Sequence, residues 1–364
     1  MLEGPSDNTR PSEDRTVQIG HGLLRKAVKQ DRSLEETDRT AMPEALWKED
    51  DVIDGQRTRA MVLILRTSGC WWSKKRGCLM CGYNLASREG IGTENILEQL
   101  QNTVGEYQGE EMVKIYTSGS FLDPKEIPLD ARDQIISAFA PAKRILFESR
   151  PEFVVPEVLD SLPKEKVEIA LGLESSNDDV LRKCVRKGFR VSDYVQAAQA
   201  IRDQGMRVRT YLLLKPPFMS ERQGMLDTIA SAKFSSQHSQ TISVNPVNVQ
   251  AGTEVERLWK KGNYRPPWLW SLVEVLKEAK RSTEVRVFSS PSGAGTSRGV
   301  HNCEHCDQEV LQAVKRFAFS QDLKEFDGLD CACRKEWEAQ LRTQDAMMTS
   351  VDIERYLENE LPLV

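Results

Sequence analysis

Between Arg66 and Tyr83 the chain reads RTSGCWWSKKRGCLMCGY, a stretch that holds three of its eight cysteines. Seven residues separate Cys70 from Cys78, and two separate Cys78 from Cys81. Three thiolates on one short loop can hold three irons of a [4Fe–4S] cube and leave the fourth iron open to another ligand. The plainer alternatives are a zinc knuckle or three buried thiols. Zinc asks for four ligands, and no histidine or fourth cysteine lies near this loop. Gly69, Gly77 and Gly82 flank the cysteines and let the backbone wrap closely round a bound group. A second set lies far along the chain: Cys303 and Cys306 as C-x2-C, then after 24 residues Cys331 and Cys333 as C-x-C. Four thiolates satisfy a tetrahedral structural Zn2+. A second iron–sulfur cluster is the rival occupant, and His301 and His305 are alternative imidazole ligands. Cys184 stands alone and reads as a core residue.

These loops need strands and helices to hold them. Residues 61–66 (MVLILR) form a continuous apolar run that predicts a buried parallel strand. Thr93 is the expected cap of a helix carrying Ile96, Leu100, Val104 and Tyr107 on one face. Further strands are expected at 113–118, 144–149, 167–174, 206–215 and 241–249, with helices at 130–139, from Pro156, at 192–205 and near 222–236. Six β/α units in a row predict an α/β fold, a partial (β/α)6 barrel, with ligand sites at the C-terminal strand ends. The cysteine loop, TSGSF (117–121), ESRPE (148–152), GLESS (172–176) and KPP (215–217) all fall at such ends.

The expected organisation is a disordered N-terminus (1–20), a helical lead-in (21–60), the barrel (61–250), a helical extension and linker (251–298) and a small C-terminal zinc-binding module (299–364). In the extension, Trp268 and Trp270 either stack on a nucleic-acid base or pack against the barrel. The chain has 364 residues, 39% of them hydrophobic, and no apolar run approaches the roughly 20 residues of a membrane span. The N-terminus is polar, without an apolar signal core. A cytoplasmic protein is expected, whose cysteines serve as metal ligands rather than disulfides. Net charge is −5, from 50 basic and 55 acidic residues, which argues against gripping nucleic acid by bulk electrostatics. Two local basic runs, KKR (74–76) and RKCVRKGFR (182–190), either steer an anionic nucleotide or are solvated faces.

A strand feeding a three-cysteine loop resembles the opening of a radical S-adenosylmethionine (SAM) enzyme. The usual family spacing between the first two cysteines is three residues; here it is seven. WKEDD (47–51), ILRTSGC (64–70) and GCLMCGY (77–83) resemble the archaeosine-synthesis branch of that family, with similarity running from about Trp47 to Trp337. ESRPE and VNPVNVQAGTEVERL (244–258) also resemble the elongator catalytic subunit. The resemblance implies a radical SAM barrel in which Cys70, Cys78 and Cys81 carry the catalytic [4Fe–4S] cluster. It implies that Ser118, Gly119 and Ser120, SGS where the family usually has GGE or GGT, meet the SAM amino group. Glu148 would pair with the SAM ammonium, Glu174 would hold the ribose and Arg186 the carboxylate. Arg150 and Lys215 would serve SAM or an anionic substrate. The implied reaction is reductive cleavage of SAM, followed by cleavage of the lysine C–N bond on a lysine-modified 7-deazaguanine at position 15 of tRNA, giving archaeosine. The implied partners are tRNA, a lysine-attaching protein and an electron donor such as ferredoxin or flavodoxin. The alternatives are another radical SAM tRNA modification, such as carboxymethyl or methylthio transfer, or a non-enzymatic zinc protein that binds RNA.

Overall fold

The structure is a computed structural model that describes residues 40–347. The expected disordered N-terminus and residues 21–39 of the expected lead-in lie outside the described residues, as do residues 348–364. The rest of the lead-in is not helical. Strand β1 (Ala45–Ile53) pairs antiparallel with β2 (Gln56–Ile64), and Ile53 faces Gln56 across a two-residue turn. Asp54 and Gly55 both take positive φ, 49° and 81°, the primed turn whose twist matches a hairpin. Gly55 adopts it without a side-chain penalty.

From β2 onward the strands run parallel. They are β3 (Met112–Tyr116), β4 (Arg144–Ser149), β5 (Val167–Glu174), β6 (Arg207–Leu214), β7 (Thr241–Pro246) and β8 (Arg286–Phe288). The eight strands form one sheet in sequence order. The helices are α1 (Thr93–Val104), α2 (Leu129–Ala138), α3 (Pro156–Asp160), α4 (Val191–Asp203), α5 (Glu221–Ser235), α6 (Glu254–Lys260), α7 (Leu269–Arg281), α8 (Asp307–Ser320) and α9 (Arg334–Met347). Thr93 is the first residue of α1 rather than its cap. The cap is Gly92, whose amide donates to Asn95 Oδ1 at 3.1 Å. Strand β8, three residues inside the expected extension, adds a seventh parallel strand to the six foreseen.

Alternation along the strands divides the barrel wall. Val113, Ile115, Ile145, Phe147, Ile169, Leu171, Val208, Ile242 and Val244 join the core shared with the helices. Their neighbours Lys114, Glu168, Arg209 and Ser243, also buried, belong to the other face. Ala60, Met112, Leu146 and Ala170 form a small apolar cluster among them. Below it lies a floor of buried ions. Asp51 of β1 pairs with Lys114 of β3, with Arg286 of β8 at 3.2 Å and with Arg209 of β6 at 3.6 Å. Arg209 also donates to Glu168 of β5 at 2.8 Å. Burial works against the Asp51 charge, but Arg209, Lys114 and Arg286 outweigh it and hold the carboxyl well below its ordinary range.

Candidate active site and metal centre

The cysteine loop leaves the end of β2 and is seated on a second apolar cluster. Met80 packs there with Leu181, Cys184, Val185, Val247, Val249 and Leu258, and Cys78 lies against the same group. Cys184 is thus a core residue, as its isolation suggested. The Leu79 amide donates to the Val185 carbonyl at 3.0 Å, and the Leu79 carbonyl accepts from the Val255 amide. Gln250 receives the Gly82 amide at 2.6 Å. Burial pushes the Cys78 thiol up, against the pull of Lys187 and Arg150 nearby. A bound cation, such as iron, would reverse that balance.

Gly119 lies directly against Cys70. A β-carbon there would stand 2.7 Å from the Cys70 Cα and Cβ, so only glycine admits this approach. The turn is held by a residue that sequence reasoning missed. Glu126, 1% exposed, accepts the Gly119 amide at 3.0 Å, the Ser120 amide at 2.7 Å and the Thr67 hydroxyl at 2.7 Å. One carboxylate therefore ties the start of the cysteine loop to the loop after β3. Ser120 extends the tie by accepting the Arg150 amide at 3.0 Å, and Ser118 bonds to Ser87 at 3.0 Å.

Glu148 and Glu174 end neighbouring strands β4 and β5. Burial pushes the Glu148 carboxyl up to about 8, Glu174 adds to the rise and Lys187 opposes it. The ladder between β5 and β6 shifts register between Gly172 and Glu174, and Glu174 has φ 68°. Such a bulge re-aims a side chain. Here the Glu174 carboxylate meets Lys187 Nζ at 2.6 Å. Tyr83, exposed just after the cysteine loop, stands near Gln250 and Glu148. Tyr116 and Tyr211 stand close to one another. Arg150 donates to Glu152 at 2.5 Å and to the Lys187 carbonyl at 3.1 Å, with Trp71, Trp72 and Phe189 rings round it.

Two expected ligand residues have other partners. Arg186 is not on a helix face. It follows the helical segment Asp178–Val180 and Leu181–Val185, with φ 57°. Its guanidinium donates to the carbonyls of Gly77 at 3.0 Å and Arg76 at 2.8 Å, so it braces the cysteine loop. Lys215 is 2% exposed; its ammonium donates to Glu221 at 2.7 Å and to the Arg265 carbonyl at 2.9 Å. That network leads away toward the second cysteine group. Glu221 accepts the Trp268 amide at 2.8 Å, and the Trp270 indole donates to Cys333 Sγ at 3.3 Å. Both tryptophans are buried, which settles packing over base stacking.

The four distal cysteines converge. Their sulfurs all lie within 4.8 Å of one another, at 3.6 Å for Cys303–Cys331, 3.7 Å for Cys306–Cys333 and 3.9 Å for Cys303–Cys306. A metal–sulfur distance of about 2.3 Å gives a tetrahedron with edges of about 3.8 Å, so the donors fit one tetrahedral ion. Asn302 donates to Cys306 Sγ at 3.3 Å, a further support for a thiolate. His301 turns its Nδ1 to the Gly299 carbonyl at 2.7 Å, and neither it nor exposed His305 joins the group. The Gly/Ser-rich stretch 289–299, expected as a linker or a substrate-facing loop, is anchored at its end: the Arg298 carbonyl accepts the Val249 amide at 2.7 Å, and Arg298 pairs with Glu256.

The model of the radical SAM superfamily matches residues 64–229. Archaeosine synthase subunit beta of Methanosarcina acetivorans is 41% identical over 317 residues, which cover 84% of this chain and 92% of that protein. The chain belongs to the archaeosine synthase subunit beta family of radical SAM proteins. Its namesake from Thermococcus kodakarensis is 39% identical over 306 residues, 80% of this chain and 94% of that one. Among solved structures, archaeal Methanocaldococcus infernus Elp3 with an N-terminal deletion gives a TM-score of 0.46 at 17% identity, covering 62% of this chain and 59% of that one. No helix among the described residues is long and apolar enough to cross a membrane.

Within this radical SAM site the residues overlooked in the sequence are Thr67, Tyr83, Glu126, Lys187 and Gln250. Lys187 was visible only as one charge in a basic run. Glu126 sits in a polar loop seven residues past Gly119, where nothing local distinguishes a buried acid from a solvated one.

Proposed function

We propose that this chain performs the radical step of archaeosine formation in tRNA, cleaving the lysine C–N bond on a lysine-modified 7-deazaguanine at position 15. The observation that carries the reading is the juxtaposition of Gly119 with Cys70, beside two carboxylates at the ends of β4 and β5. The family membership supports archaeosine formation: both named relatives are archaeosine synthase subunits. Cys70, Cys78 and Cys81 would hold the [4Fe–4S] cluster. Bound there together, cluster and SAM supply a carbon-centred radical able to take a hydrogen atom from an unactivated carbon.

The chain's own residues bind, orient and shield. Ser118, Gly119 and Ser120 offer the backbone of a turn held against the cluster loop by Glu126. Glu148 receives a cationic amino group, and the arriving charge favours its ionised form. Glu174, held by Lys187, meets ribose hydroxyls, and Arg150 meets a carboxylate. Arg186 serves by bracing the loop from outside. Tyr83 and Gln250 flank the entry. The Cys303, Cys306, Cys331 and Cys333 set holds a structural zinc, because its edges suit one ion rather than a larger cube. A partner subunit attaches lysine and helps hold the tRNA, and the chain works in the cytoplasm.

The deciding experiment is anaerobic reconstitution, followed by incubation with SAM and lysine-modified tRNA. Formation of 5′-deoxyadenosine together with archaeosine supports the reading. Cluster incorporation and SAM binding with the lysine-modified tRNA left intact would overturn the proposed reaction.

A further inference from the structure

The seven residues between Cys70 and Cys78, WWSKKRG, are a built turn rather than slack. The amides of Lys75, Arg76 and Gly77 all donate to the Trp72 carbonyl at 2.9–3.0 Å, and Lys74 donates to the Cys70 carbonyl at 3.4 Å. Ser73 Oγ closes on the same Cys70 carbonyl at 2.7 Å. The turn is also mounted from behind. Trp72 packs on Gly188 and donates its indole N–H to the Arg186 carbonyl at 2.9 Å, while the Arg186 guanidinium returns to Arg76 and Gly77. Trp71 is tied to Glu152 at 3.0 Å. The mount therefore consists of the connections that follow β4 and β5. Tyr83, Gln250 and Glu148 lie with the other end of the loop, past Cys81.

On this rigid base Lys74, Lys75 and Arg76 are exposed, and none forms an ion pair with a described residue. Arg76 is two residues from Cys78. Three exposed cations on one turn, with the Asp123 carboxylate in electrostatic reach of Lys74 and with Lys75 over the Trp71 ring at 4.8 Å, stand beside a proposed cluster ligand and fit a small acidic protein that must come close to that cluster. A tRNA backbone presents a long line of phosphates and asks for an extended basic track, longer than the three residues of this turn.

We propose that the Trp72–Gly77 turn is the docking site of an acidic one-electron carrier, a reduced ferredoxin, that reduces the cluster. This rests on the cluster reading given above. One electron leaves the carrier's reduced centre and enters the cluster held by Cys70, Cys78 and Cys81; no bond in either protein forms or breaks. Docking on the outer flank of the loop leaves the entry beside Tyr83 free for the tRNA substrate.

The test uses the full reconstituted chain, an acidic ferredoxin as probe, and the triple variant Lys74→Glu, Lys75→Glu, Arg76→Glu. Binding is read by titration at low and high salt, and cluster reduction by loss of absorbance near 400 nm. Photoreduced 5-deazariboflavin, a small uncharged donor, is the control. The expected result is ferredoxin affinity weakened about tenfold or more, with the salt dependence flattened, and deazaflavin reduction unchanged. The charge-preserving variant Lys74→Arg, Lys75→Arg, Arg76→Lys should bind like wild type, which separates charge from folding. Unchanged ferredoxin affinity in the charge-reversed chain overturns the proposal. So does a loss of tRNA affinity with ferredoxin binding intact, which would make the turn a nucleic-acid contact. A wild-type chain that takes up no iron fails the cluster reading itself, and the iron assay shows that separately.

Discussion

Cys303, Cys306, Cys331 and Cys333 gather four sulfurs within 4.8 Å, whereas Cys70, Cys78 and Cys81 offer three on one loop. The distal set is complete. Its supports are a Trp270 indole and an Asn302 amide, and helix walls surround it. The proximal set lacks a fourth protein donor and is surrounded by Arg150, Glu148, Glu174 and Lys187 instead. Four donors finish a metal's coordination and make it part of the fold. Three donors ringed by charged groups leave a seat that only a ligand from outside fills.

That contrast breaks first at the proximal loop. Changing Cys70, Cys78 or Cys81 to Ala should abolish 5′-deoxyadenosine formation, because two thiolates hold a cube poorly. Thermal stability of the apo chain should barely move. A triple-Ala variant that still makes 5′-deoxyadenosine would end the cluster assignment. The distal set should behave in the opposite sense. Cys303→Ser or Cys333→Ser should cost about 3 kcal/mol or more, roughly 4 °C or more in melting temperature for a chain of this length. Metal analysis of the wild type should find about one zinc per chain beside the irons; eight irons and no zinc would favour a second cluster.

Glu126→Ala sharpens the comparison by removing support rather than a ligand. Iron content should hold while SAM affinity falls roughly ten- to hundredfold, the equivalent of one lost charge-assisted contact at ~1.5–3 kcal/mol. Equal loss of iron and SAM binding would make Glu126 a general prop of the loop. Glu148→Gln should have the smallest effect, best read without SAM. The folded carboxyl titrates near 8 against an ordinary 4.5, so between those values the folded state binds more protons than the unfolded one. The apo wild type should therefore lose stability as pH rises from about 4.5 to about 8. In Glu148→Gln that part of the slope should vanish, and identical pH profiles of melting temperature would refute the shift.

The parallel strands were legible because alternating apolar residues mark their outer face, and the strand-end loops followed from them. RILFES and VEIALGLE match β4 and β5 residue for residue. The hairpin was not. WKEDD looks like a solvated run, yet Asp51 is 3% exposed, since its counter-ions Lys114, Arg209 and Arg286 arrive from three distant strands. The Asp54–Gly55 pair was the one local signal for it, and it was overlooked. The two cysteine groups were legible from spacing, and the structure brings the four distal sulfurs together. The partners of Arg186 and Lys215 were not legible because a charge's partner is a tertiary fact: one braces a loop and the other is buried against Glu221.

The ionic floor has a mechanical side. Strands β1 and β8 are the two ends of the sheet, and the sheet order runs from one to the other without closing. Across that gap Arg286 reaches Asp51 at 3.2 Å. Asp51 also reaches Arg209 of β6, so this end of the sheet is fastened by several side chains and, among the described residues, by no backbone ladder to β8. The edge between β1 and β8 therefore differs in kind from the seven hydrogen-bonded junctions: charge holds it, and backbone pairing holds them.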